Sequence, residues 1–159
     1  MLKQITQRKI KENWEKYKPH IETAFERLIK EQEYTDSEME ELYNGVFERL
    51  MNPFNHIMQL WIEGEEDYVV LTQLQVCEFT RRQTLILFSS TRTKDVDKET
   101  VSQRYYEAYQ TISKFARDNY CVGMFCISDL DYFAELAEKS KEWTNVITRY
   151  QFYFPLTNN

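Results

Sequence analysis

The chain has 159 residues, 42% of them apolar and 15% aromatic. That length fits one domain of ordinary size, and that apolar share supports a packed core, so a globally disordered chain is excluded. The net charge of −6 and the pI near 5.1, with acidic clusters at 31–41 and 63–67, argue against general nucleic-acid binding and against docking on an anionic membrane, since both need surplus cations.

The first ten residues are polar and charged, so no signal peptide is expected there. No apolar run approaches the ~18 residues of a membrane-spanning helix. Cys77, Cys121 and Cys126 each sit in an apolar run, with no CxxC or CxxH spacing. They are expected to be small buried hydrophobes, inward on their strands, in a reducing and therefore intracellular compartment, without disulfides. There are three glycines and three prolines, no low-complexity linker and no repeat. The expectation is one continuous domain, 1–159.

Residues 2–6 alternate and predict a short first strand, with Thr6 capping the helix after it. Ile10, Trp14, Tyr17, Ile21, Phe25, Leu28 and Ile29 recur at helical spacing. Pro19 interrupts that stripe, which predicts a kink or two abutting helices. Thr35-Asp36-Ser37-Glu38 reads as a capping box in front of the stripe Met39, Leu42, Tyr43, Val46, Phe47, Leu50. Asn52-Pro53 ends that helix.

Three strands are then predicted at 56–63, 67–79 and 84–90, joined by turns at 63–66 and 80–83. In the first, Met58, Leu60 and Ile62 share one face and Gln59 and Trp61 the other. Leu85-Ile86-Leu87-Phe88 is apolar on both faces, as a covered central strand is. A long helix is predicted over 98–118, a second strand apolar on both faces over 121–127, a short helix over 129–141, and a last strand over 145–154. A strand–helix–strand unit after a meander implies an α/β fold: a mixed sheet with helices on both faces.

That order, carried by Leu85-Ile86-Leu87-Phe88, the helix from Lys98, and Cys121-Val122-Gly123-Met124-Phe125-Cys126-Ile127, resembles the GCN5-related N-acetyltransferase family over nearly the whole chain. The opening, Lys3-Gln4-Ile5-Thr6 running into Asn13-Trp14, is similar to acetyltransferase-like proteins encoded with the structural genes of short-tailed phages. The resemblance implies a Gln/Arg-x-x-Gly-x-Gly/Ala loop that cradles the pyrophosphate of coenzyme A on backbone amides. Residues 89–101 contain no glycine here, and Asp95, Asp97 and Glu99 bring negative charge to that place. The late tyrosine that the family uses as general acid is matched only by Tyr132, near the start of its helix.

The expectation drawn from these departures is a non-catalytic acetyltransferase-like protein that binds other proteins, a virion component or assembly factor of a phage, with no cofactor. Its interface candidates are Tyr105, Tyr106, Tyr109, Tyr150, Phe152 and Tyr153, because eleven tyrosines and ten phenylalanines exceed what one core face buries. One alternative is an N-acetyltransferase that holds acetyl-CoA on backbone groups of Phe88, Ser89 and Ser90, with Arg92 and Lys94 replacing the loop. A host-directed inhibitor is the third reading. Glu78 is weighed as a general base against an ordinary strand-end residue. His20 and His56 show no metal-ligand spacing.

Overall fold

In a computed structural model of the chain, residues 1–29, 34–52, 57–64, 68–92 and 98–126 are described. Strand β1 (Lys3–Gln4) leads into helices α1 (Gln7–Glu12), α2 (Trp14–Ile29) and α3 (Asp36–Met51). Strands β2 (Met58–Glu63), β3 (Tyr68–Val76) and β4 (Gln83–Arg92) follow, then helix α4 (Lys98–Asp118) and strand β5 (Met124–Cys126). The sheet order is β1-β2-β3-β4-β5, antiparallel throughout except for the parallel pair β4–β5. The short helix over 129–141 and the strand over 145–154 lie outside the described residues.

The helix starts follow their caps. The Thr6 hydroxyl accepts from the Lys9 amide and opens α1. The break in the first helical stripe falls at Asn13 rather than at Pro19, which sits inside α2. Asn13 leaves helical geometry at φ −130°, yet its carbonyl accepts from the Lys16 and Tyr17 amides. It therefore ends one helix and starts the next. Pro19 removes one amide donor and leaves the rest of α2 intact.

Thr35 and Glu38 form the capping box: the Glu38 amide donates to Thr35 Oγ1 at 3.4 Å, and the Thr35 amide donates to the Glu38 carboxylate at 2.7 Å. The backbone and hydroxyl donors of Thr35 hold the Glu38 carboxyl below its usual range. A depressed acid stabilises the fold above its unfolded pKa, and that contribution is lost as pH falls through the folded value. Glu38→Gln is therefore expected to melt below the parent at neutral pH, with the gap closing in acid. Thermal melts across pH check it.

The sheet is covered on both faces because its strands alternate. Met58, Leu60 and Ile62 of β2 join Val69 and Leu71 of β3 under the helices α1–α3, against Ile10, Tyr17, Ile21, Phe25, Tyr43, Val46 and Leu50. The opposite face carries Trp61, Tyr68, Val70, Leu85 and Leu87 against Ala108, Ile112 and Ala116 of α4. Register makes this consistent: Leu60 pairs with Leu71 and Trp61 with Val70, so each pair falls on one face. Trp61 Nε1 donates to Thr72 Oγ1, and the Thr72 hydroxyl donates to Gln59 Oε1, both at 2.8 Å. Three buried polar side chains are thus satisfied within the apolar layer.

Helix α4 ends in a Schellman turn: the Cys121 amide donates to the Ala116 carbonyl and the Tyr120 amide to that of Arg117. Tyr120 takes the left-handed position at φ 56° and is exposed. Glycine is the usual residue there, since an L side chain costs roughly 1–2 kcal/mol in that region. Glycine also gains more unfolded-state entropy, so Tyr120→Gly is expected to raise stability by a net ~0.5–1 kcal/mol. A urea titration reads this directly.

Candidate functional site

Strand β4 is central at its start and, among the described residues, paired on one side at its end. Leu85, Ile86 and Leu87 pair on one side with β3 and on the other with Met124, Phe125 and Cys126 of β5. Residues 89–92 keep their β3 partners, 68–71. Among the described residues, 88–92 have no β5 partner. Successive strand residues direct their N–H and C=O groups to opposite edges, so about half of those groups at 88–92 face away from β3.

The β3–β4 register shifts at this point. Leu71 faces Ser89 and Thr72 faces Leu87, so Phe88 is the extra residue of a β-bulge in the middle of β4. A bulge bends its strand and re-aims the backbone groups beside it, and bulges gather next to ligand sites. The chain crosses from β4 through α4 to the parallel strand β5. In such units ligands bind outside the carboxyl ends of the strands. Ala108 and Ala116 are buried on the inner side of α4, and their small side chains let the helix lie close over Leu85 and Leu87. The bulge and the parallel pair thus share one element with an edge that has no partner among the described residues.

Of the residues named from sequence, Phe88, Ser89, Ser90 and Arg92 fall on this stretch of backbone, with their side chains outside the described set. Lys94 lies outside the described residues. The strand runs to Arg92, two residues beyond the expected end at 90. Tyr106 is half-exposed on α4, and Tyr109 is partly buried with an interaction partner. The side chain of Tyr105 and all of Tyr150, Phe152 and Tyr153 lie outside the described residues, as do Tyr132 and His56.

Two expectations at the β3–β4 turn are corrected. Strand β3 ends at Val76, not at 79, because the turn begins earlier: the Arg81 amide donates to the Cys77 carbonyl and the Cys77 amide to that of Arg82. Arg81 takes φ 56° to close it. Cys77 is consequently exposed rather than inward. Glu78 is exposed in the same turn, at the opposite end of β4 from Arg92, so it is no base for a site at the bulge.

The Thr80 hydroxyl and the Thr80 and Phe79 amides donate to the Cys77 sulfur and lower its thiol pKa, whereas burial raises that of Cys121. Reactivity follows thiolate content and access. Cys77 is expected to react with a maleimide at least ~10-fold faster than Cys121 near neutral pH, and Cys77→Ser to remove the fast phase. Mass spectrometry of the labelled chain checks it.

A hollow of about 480 Å³ lies elsewhere, where β1 leaves β2. Its lining includes Gln7, whose amide donates to the Leu50 and Asn52 carbonyls and so satisfies the end of α3. That is a structural junction. Among the described residues no group of three or more His, Cys, Asp or Glu side chains could hold a metal ion, and no helix is long and apolar enough to cross a membrane.

No family model matches the sequence, and no curated protein matches it. Solved structures do. A probable acetyltransferase superposes with a TM-score of 0.65 at 12% identity, over 99% of each chain. An aminoglycoside acetyltransferase from an uncultured soil metagenomic sample, in complex with sisomicin, gives 0.62 at 12% identity, over 99% of this chain and 96% of that one. A ribosomal-protein-alanine N-acetyltransferase from Brucella melitensis biovar Abortus 2308 gives 0.52 at 6% identity, over 94% and 99%.

These neighbours overturn two expectations. The solved structures of this shape are acetyltransferases and favour the N-acetyltransferase alternative over a non-catalytic phage component, and none of the comparisons supports a phage origin or a host-directed inhibitor. The expectation of no cofactor falls with it: it rested on the missing glycines, the carboxylates Asp95, Asp97 and Glu99 and the unmatched tyrosine, and the acetyltransferase neighbours favour the acetyl-CoA alternative. A segment without glycine leaves the rest of a coenzyme site untouched. The described residues form a mixed sheet with helices on both faces, and the chain has the fold of the GCN5-related N-acetyltransferases.

Proposed function

We propose that this chain is an N-acetyltransferase that uses acetyl-CoA. The observation that carries the reading is the bulge at Phe88, beyond which β4 has no β5 partner among the described residues, supported by the acetyltransferase neighbours. The pantetheine arm of coenzyme A is an extended chain with two amides. An edge of alternating N–H and C=O groups is a matching partner, as it is for an added strand. Backbone groups of Phe88, Ser89 and Ser90 are the proposed contacts.

When bound, acetyl-CoA supplies an activated acyl carbon. Transfer to an amine would break the carbon–sulfur bond and leave its electron pair on the thiolate; an ammonium acceptor would give one proton to solvent before the attack and a second, after it, to the thiolate or to solvent. Residues at the bulge hold the arm in line. An N–H re-aimed there can receive the negative charge that develops on the acyl oxygen, which costs no reorganisation because the strand is already fixed. Amine acceptors are cationic near neutral pH, and a net charge of −6 favours their approach. The intracellular location belongs to the same proposal.

Calorimetric titration with acetyl-CoA tests it. Saturable one-to-one binding in the micromolar range is expected, followed by thiol release when amines are added. Absence of binding at millimolar acetyl-CoA sinks the reading.

A further inference from the structure

We propose that this chain recognises its acyl donor through the pantetheine arm, so that a pantetheine thioester lacking the nucleotide serves about as well as acetyl-CoA. The inference rests on the acetyltransferase reading and divides its binding energy between the two halves of the donor.

The two halves meet different chemistry. The pantetheine half is uncharged and carries amides. Beside it, among the described residues, β4 has backbone donors and acceptors without a β5 partner past Leu87, and β3 pairs with β4 on both sides of the bulge out to Arg92. That edge does not depend on side chains or on loop sequence. The nucleotide half carries several negative charges on its diphosphate and 3′-phosphate. A site for it needs glycines that let successive amides converge, or a surplus of cations.

The sequence from 89 to 101 supplies neither. Residues 89–101 contain no glycine. Between positions 92 and 99 the cations are Arg92, Lys94 and Lys98 and the anions are Asp95, Asp97 and Glu99, three against three, so that stretch is neutral. Asp97 immediately precedes α4 and Glu99 is its second residue. Carboxylates there are favoured by the partial positive charge of the helix start, which is the feature a phosphate would otherwise use. β4 suits the neutral half of the donor, and the sequence from 89 to 101 does not suit the anionic half.

Calorimetry on the full chain with coenzyme A, pantetheine and adenosine 3′,5′-bisphosphate separates the possibilities. Expected are dissociation constants for coenzyme A and pantetheine within about tenfold of each other, and no heat from the bisphosphate. The double variant Arg92→Ala/Lys94→Ala is expected to shift the coenzyme A constant by less than about threefold. A wider gap between coenzyme A and pantetheine, measurable binding of the bisphosphate, or a larger effect of the double variant overturns this inference and leaves the transferase reading standing. If neither coenzyme A nor pantetheine binds, both fall together.

Discussion

Deleting Phe88 is expected to weaken coenzyme A binding by more than about 100-fold while the protein stays folded. The reasoning is geometric. With Phe88 present, Leu71 faces Ser89 and Thr72 faces Leu87. Without it the same partners stand opposite each other in an uninterrupted ladder, because the deleted residue is the one that had no partner. No side chain needs to change face, so the β3–β4 pairing survives. What disappears is the bend and the re-aimed backbone groups on the edge that has no β5 partner among the described residues. Phe88→Ala is the control: it keeps the extra residue, and with it the bulge, so its affinity is expected to stay within about tenfold of the parent. Calorimetry gives the affinities and a circular-dichroism melt the fold. A deletion variant that binds like the parent removes the bulge from the site.

Trp61→Ala is expected to be the most damaging of the simple core truncations, at about 3–5 kcal/mol. Trp61 is 4% exposed and meets Phe115 of α4 edge to face, with ring centroids 5.0 Å apart. It therefore fixes the helix that follows the candidate site onto the sheet. Its indole N–H also completes the hydrogen bonding of Thr72. Removing the ring opens a cavity between α4 and β2 and strips one partner from a buried hydroxyl. Against a total stability of about 5–15 kcal/mol typical of such domains, that loss is a large fraction. Trp61→Phe keeps most of the ring and loses the donor, so it is expected to cost about 1–2 kcal/mol. Urea denaturation of the two variants separates packing from hydrogen bonding. Equal effects would show that the ring is not what holds α4.

The elements that could be read from the sequence are those whose signals are local. The capping box at Thr35 and Glu38 needs four residues and no neighbours. The stripe from Val101 to Phe115 marks α4, because a helix face repeats within one segment. The alternation in Met58–Glu63 assigned each side chain to its face before any partner strand was known. Pairing registers, by contrast, join distant segments. Pro19 looked like the break in the first helical run. Asn13 took that role because its side-chain amide bonds the Lys9 carbonyl and its own carbonyl starts α2. The turn after β3 was misplaced by three residues because Arg81 adopts a left-handed backbone that nothing in its residue type announces.

Residue type and spacing alone were enough to specify a mixed sheet with helices on both faces, and a connection from β4 to α4 that lacks glycine and holds two aspartates against one lysine. Such signals act over one turn of helix or two steps of strand. The bulge at Phe88, and the edge of β4 beyond Leu87 without a described partner, emerged only from the packed fold. A bulge is a mismatch between two strands, so it has no meaning until their register is set by the packing of Leu60, Trp61, Val70 and Leu71 on opposite faces.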